Sequence, residues 1–266
     1  MPHYVALSKS AHRSAGVRPS NTAYALEQAV VPVVAEEVPR VLPTMPLAFV
    51  NAPSGQGFEL VALQALQPGM NVYVHTDGRW IGGYKPAWYR AHPFRLIPDE
   101  SGSRRVVCVD EEAEAFENEA GPDTPTLFGP DGEPTEKTRH LVNFLEQLEK
   151  GKEVTHAAVA LLAEQGLIVP WEISARKAKG ETGYDVQGLY HIDEAALKAL
   201  EPERVVKLLR SGALSIAFSQ LLSEHRLQTV ARLHNLRGEA KRQSAAADEL
   251  DVESLFADDD DDDLTF

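Results

Sequence analysis

The sequence predicts an α+β protein: a strand-rich first half with an Asp-Gly hairpin, a helix-rich second half, and an acidic C-terminal tail. Three observations carry this expectation. Short apolar runs dominate up to Asp110, the hydrophobic period becomes helical after residue 134, and six consecutive aspartates stand near the C-terminal end. The chain divides into a body over residues 1–238 and a tail over 239–266, which is expected to be disordered because like charges repel and little apolar surface is available to bury.

After a polar N-terminus, "PLAFV" (Pro46–Val50) and "FELVALQAL" (Phe58–Leu66) are predicted strands. "NVYVHTDGRWIG" places Asp77-Gly78 between alternating runs, the signature of a hairpin closed by a type I′ turn. "RRVVCVD" (Arg104–Asp110) adds a strand and places Cys108, the single cysteine, as a buried thiol rather than a nucleophile or a zinc ligand. Residues 111–134 are rich in acids and turn formers and read as a long connection.

Leu141, Phe144, Leu145 and Leu148 then fall at i, i+3, i+4 and i+7, one face of a helix with Thr135 as N-cap and Gly151 as its stop. "THAAVALLAEQG" predicts a second helix, capped by Thr155 and ended by Gly166, so the two form an αα-hairpin. "LIVPWEISAR" and "YDVQGLYHID" read as extended. "DEAALKAL", "PERVVKLLRSG" and "ALSIAFSQLLSEHRLQTVARLHNLR" read as helices.

Charge is uneven along the chain. The net −14 includes ten acids from Asp248 onward with no Lys or Arg, which leaves −4 for residues 1–247. No run approaches 18 apolar residues and the start lacks a continuous apolar stretch, so no membrane partner is expected and a cytoplasmic location is. No Walker-type loop and no G-x-S-x-G is present, no cofactor is implied, and a non-enzymatic role is favoured.

Several stretches in order resemble the SapC family of bacterial proteins: "VVPVVAEEVPRVLPTMPLAFV", "FELVALQALQPGMNVYVHTDGRW", "YKPAWYRAHPFRL", "GEPTEKTRHLVNFLEQLEKG", "GLYHIDEAALKAL" and "SGALSIAFSQLLSEHRLQTVARL", spanning about residues 21–236. The family takes its name from genes linked to surface-layer biogenesis. The resemblance therefore implies an accessory protein that binds peptide or protein cargo in envelope biology, and it supplies no catalytic motif.

Three candidate sites follow. The tip, Asp258, Asp259, Asp260, Asp261, Asp262, Asp263, Leu264 and Phe266, is similar to the C-terminal tip of bacterial single-stranded-DNA-binding proteins, with Thr265 where those carry a proline. Its ring and carboxylate suit a partner's cleft, and its aspartates suit a basic rim, so replication or repair proteins are the expected partners. The segment Gly78–Leu96 interleaves Arg79, Lys85, Arg90 and Arg95 with Trp80, Tyr84, Trp88 and Tyr89, the residue types that neutralise phosphates and stack on bases in single-stranded DNA. The basic region from Arg204 to Gln243, with Arg204, Lys207 and Arg210 at three-residue spacing, supports the same expectation of a DNA-maintenance protein. The third candidate is the H-x-D pair His191 and Asp193, which with His225 or His234 would suit an iron-dependent oxygenase. Asp193 is equally an N-cap for the helix that follows.

Overall fold

The structure, a computed structural model, describes residues 3–19, 21–99, 101–175 and 184–238. The first part of the chain forms β1 (Tyr4–Ala6), β2 (Gly16–Val17), β3 (Val30–Pro32), α1 (Val38–Val41), β4 (Leu47–Asn51), β5 (Phe58–Leu63), α2 (Ala87–Arg90), β6 (Phe94–Pro98), β7 (Arg105–Asp110) and β8 (Phe116–Glu117). The second part forms α3 (Glu136–Glu164), β9 (Ile168–Pro170), β10 (Ile173–Ala175), β11 (Tyr184–Val186), β12 (Tyr190–Ile192), α4 (Glu194–Lys198), α5 (Pro202–Arg210), α6 (Ala213–Ser223) and α7 (227–238). Strands dominate the first part and helices the second, as the change of hydrophobic period predicts, with β9 to β12 returning after α3.

Two antiparallel sheets organise the body. The larger has the order β3-β5-β4-β12-β9, and its interior strand β5 is buried from Leu60 to Leu63, which explains its unbroken apolar run. The smaller sheet has the order β1-β7-β6 and places Cys108 inside, where burial pushes its thiol pKa up. Strands β2 and β8 pair with each other, as do β10 and β11. The N-terminal residues and the 111–134 connection are thus more ordered than their polar composition suggests. They contribute Ala15, Val31, Ala115, Phe116, Leu127 and Phe128 to the buried interior.

Two apolar clusters fill the body, and α3 serves both. Leu145 and Leu148 belong to the cluster beneath the smaller sheet, whereas Ala158, Val159 and Leu162 belong to the one beneath the larger. The predicted αα-hairpin is therefore corrected to one 29-residue helix. Gly151 does not stop it. A Cβ at that position would lie 2.9 Å from Glu36 Oε2 and 3.3 Å from Val34 Cβ, so glycine lets residues 34–36 pass close without displacing Val34 or the Glu36 carboxylate. Thr155 caps nothing. Its hydroxyl donates to the carbonyl of Gly151 at 2.6 Å and accepts the Ala35 N–H at 2.8 Å. The predicted ends are correct: the Thr135 hydroxyl accepts the Thr138 N–H, and Gly166 closes the helix at φ +67°. The Leu167 N–H to Leu162 carbonyl and Gly166 N–H to Ala163 carbonyl bonds form a Schellman motif.

The Asp-Gly turn is corrected as well. Only Gly78 has positive φ, +82°, whereas a type I′ turn needs two such residues. The Gly78 N–H bonds the His75 carbonyl and the His75 N–H bonds the Arg79 carbonyl, giving a three-residue loop with glycine in the bulge position. A single bridge, Val74 to Trp80, replaces the expected paired strands. At the C-terminal end, the predicted long helix is interrupted by a 3-10 turn over Glu224–Arg226. No single described helix is long and apolar enough to cross a membrane. The tail and its tip lie outside the described residues.

Two substitutions test the crossing of α3 with residues 34–36. Gly151→Val forces a branched side chain into contact distance and is expected to destabilise the fold by about 1–3 kcal/mol, read as a lower denaturant midpoint at unchanged slope. Thr155→Val keeps the shape but leaves the Ala35 N–H without its acceptor. The expected loss is again about 1–3 kcal/mol in chemical denaturation.

Candidate functional site

The basic and aromatic residues of Gly78–Leu96 are adjacent in sequence but leave the backbone in different directions. Arg79 sits at the exposed hairpin tip, where its N–H and side chain bond the Asp77 carboxylate at 2.9 and 2.7 Å. Those bonds hold the Asp77 carboxyl well below the usual carboxylate range. Trp80 stacks on Tyr73 and meets Tyr89 edge-on. Tyr89 is a core residue, 1% exposed, and its hydroxyl donates to Gln64 Oε1 at 2.5 Å. It is unavailable for stacking on a ligand, which corrects its place among the predicted site residues. Burial lowers the pKa of the half-buried Lys85.

Trp88, Tyr89 and Arg90 are consecutive in the one-turn helix α2, and steps of about 100° send them three ways. Arg90 enters a cleft with Tyr84, Phe144, Arg40 and Glu36. Its guanidinium lies 5.0 Å from the Phe144 ring and donates to the Tyr84 hydroxyl at 2.9 Å. The wall of that cleft is fixed by the buried Glu37 carboxylate, which accepts from the Val34 N–H, the Ala87 N–H and the Tyr84 hydroxyl. Trp88 instead faces a second cleft, of about 620 Å³, together with Arg95, Tyr24, His92, Lys152 and Ile97. The cations of the segment therefore do not share one continuous groove.

The second cleft has the geometry of a binding site. Arg95 comes from β6, and its guanidinium carbon lies 3.9 Å from the Trp88 ring centroid. Its Nη1 donates to the Phe94 carbonyl at 2.7 Å, and it makes no ion pair among the described residues. Burial lowers its pKa, so the cation is less well solvated than one on the surface. Lys152 of α3 lies 5.0 Å from the same indole and pairs with Glu149 at 2.7 Å. On the opposite side Tyr24 stacks on His92 with centroids 3.7 Å apart, and its hydroxyl donates to the Tyr89 carbonyl. Asp110, at the end of β7, accepts the His3 N–H at 2.8 Å. The site is thus a partly desolvated guanidinium beside rings, and Asp110, Glu112 and Glu149 line the same cleft, the first and last acting on Arg95 at longer range.

Sequence reasoning identified Trp88 and Arg95 but not Tyr4, Tyr24, His92, Glu149 or Lys152. These converge from four separate segments, and no local pattern links them. The other predicted sites are placed as follows. Arg204 donates to Gln165 at 3.2 Å and Lys207 lies 3.7 Å from Glu164, so two of the three cations on α5 face the end of α3. His191 Nδ1 lies 2.9 Å from Glu224 and its ring stacks on Trp171, whereas Asp193 accepts the Ala196 N–H as the cap of α4. His225 contacts the Leu222 carbonyl. Among the described residues no three His, Cys, Asp or Glu side chains are grouped to hold a metal ion.

Burial, followed by the nearby Arg95 cation, lowers the His92 pKa to about 4. Between that value and the ordinary 6.5 the unfolded chain takes up a proton that the folded chain does not, so stability falls as pH drops through this window. Thermal midpoints measured from pH 7 to pH 4 should decline less steeply in His92→Gln than in the parent protein.

No curated protein and no solved structure matches the chain at a significant level. The sequence profile of one family, SapC, does match, and it covers residues 7–230, the whole of the described body apart from its two ends. On that match this chain belongs to the SapC family.

Proposed function

We propose that this SapC-family protein is a non-catalytic binding protein of the cytoplasm, and that its Arg95 cleft takes the anionic end of a peptide or protein partner. The observation that carries the proposal is a half-buried guanidinium that makes no ion pair among the described residues, feels the Glu149 and Asp110 carboxylates only at longer range, and faces an open cleft beside Trp88, Tyr24 and Ile97. A chain-terminal carboxylate would bond the guanidinium, and the adjoining side chain would lie against the rings. Such a bond gains strength where water is partly excluded.

A second reading, single-stranded-DNA binding in DNA maintenance, is favoured by the cation–ring pairs themselves, since phosphates and bases seek the same groups. It ranks lower because Trp88 already carries Arg95 and Lys152 against its ring and Tyr24 already carries His92. In that reading the acidic tip would recruit replication or repair proteins. The oxygenase reading has less support, since Asp193 is committed to a helix cap and His191 to Glu224.

A pool of N-terminally labelled peptides with free carboxyl termini tests the first reading by fluorescence anisotropy. Binding should disappear when the pool is C-terminally amidated and weaken about tenfold or more in Arg95→Gln, as expected for a lost charge-assisted hydrogen bond. Equal binding by Arg95→Gln would overturn it. Binding of labelled oligo-dT in place of the peptides, with steep loss as salt rises, would favour the DNA reading.

A further inference from the structure

The helical layer leaves an apolar stripe uncovered on α6 and α7. Along α6, the 3-10 turn and α7, the residues Phe218, Leu222, His225, Arg232 and Leu236 are all exposed, at spacings of four, three, seven and four. Those spacings trace a single stripe down the helix. Its apolar members are 48%, 63% and 52% exposed at Phe218, Leu222 and Leu236. The opposite face, with Ile216, Ala217, Gln220, Ser223 and Val230, is buried against the body. Among residues 225–238 there is no acid, and Arg232 is the arginine exposed on the stripe itself, whereas Arg226 and Arg237 are partly buried beside it. Arg237 donates to the Asn71 carbonyl, which anchors this end of the helix to the larger core.

We propose that this stripe is the docking surface for a segment of the same chain, Leu250–Phe256 in the tail. Three features of the molecule select that occupant. The first is charge: the helix is cationic and acid-free after Glu224, whereas the chain from Asp248 onward has ten acids and no base. The second is pattern. In "LDVESLF", Leu250, Val252 and Phe256 fall at even spacing while Asp251 and Glu253 fall between them, so an extended segment presents an apolar edge to the stripe and acids to its flanks.

The third is length. Leu222 and Leu236 are about 21 Å apart along a helix at 1.5 Å per residue. Leu250 and Phe256 are about 20 Å apart in an extended chain. Residues 239–249 provide the reversal, so Leu250 meets Leu236 and Phe256 meets Leu222 in antiparallel sense. Tethering keeps the local concentration of the segment on the order of millimolar, enough for a weak contact to be occupied. This inference is independent of the Arg95 cleft.

The full chain with p-benzoylphenylalanine in place of Phe256 tests it. Irradiation should give crosslinks within one chain to peptides covering 218–236, and their yield should fall about fivefold or more in 0.5 M salt or with Arg232→Glu, because screening and charge reversal both remove the attraction. Crosslinks that join isotopically light to heavy chains would overturn the proposal in favour of a second copy as occupant. Crosslinks to any other surface, or none above background, would overturn it outright. So would binding of the full chain to anionic phospholipid vesicles that buries Leu222 while leaving the tail uncrosslinked.

Discussion

The fold depends on the passage of α3 over residues 34–36 at Gly151. Without a side chain at that point, Val34 and Glu36 come close enough for the Thr155 hydroxyl to accept the Ala35 N–H. The N-terminal half of α3 then lies under the smaller sheet and its C-terminal half under the larger, so one rod closes both apolar clusters. Without the crossing each cluster would need a cover of its own. Glu37, the next residue on, ties the same turn to the α2 region by accepting the Ala87 N–H and the Tyr84 hydroxyl, while its bond from the Val34 N–H closes the turn itself.

How much of this was legible in the sequence depended on how local the cause was. The caps Thr135 and Asp193 and the terminator Gly166 act within five residues, and all three were read correctly. Gly151 was misread because a helical glycine meant to end a helix and one meant to admit a neighbouring backbone have the same local sequence. The reason lies at Val34, more than a hundred positions away. Likewise Asp77-Gly78 announced a turn, but Gly78 also packs against Asn21 and accepts the Thr22 N–H, contacts that no pattern in the hairpin reports.

The site shows the same division more sharply. Composition correctly gathered cations and rings between Gly78 and Leu96, and implied one surface. A one-turn helix dissolves that implication, since neighbours in it do not face alike. Tyr89 went to the core, Arg90 to the wall with Tyr84, and Trp88 to the cleft of Arg95. The cleft's remaining groups come from β1, the residues before β3, β7 and α3, and only folding brings them together.

The three-way divergence at α2 has a mechanical outcome. Trp88 and Arg90 are separated by the backbone of a single residue, and that residue is clamped by the hydrogen bond from Tyr89 to Gln64. The two depressions on this face therefore share one mounting: the side chains that wall them hang from adjacent positions of a single turn whose middle residue is rooted in the interior.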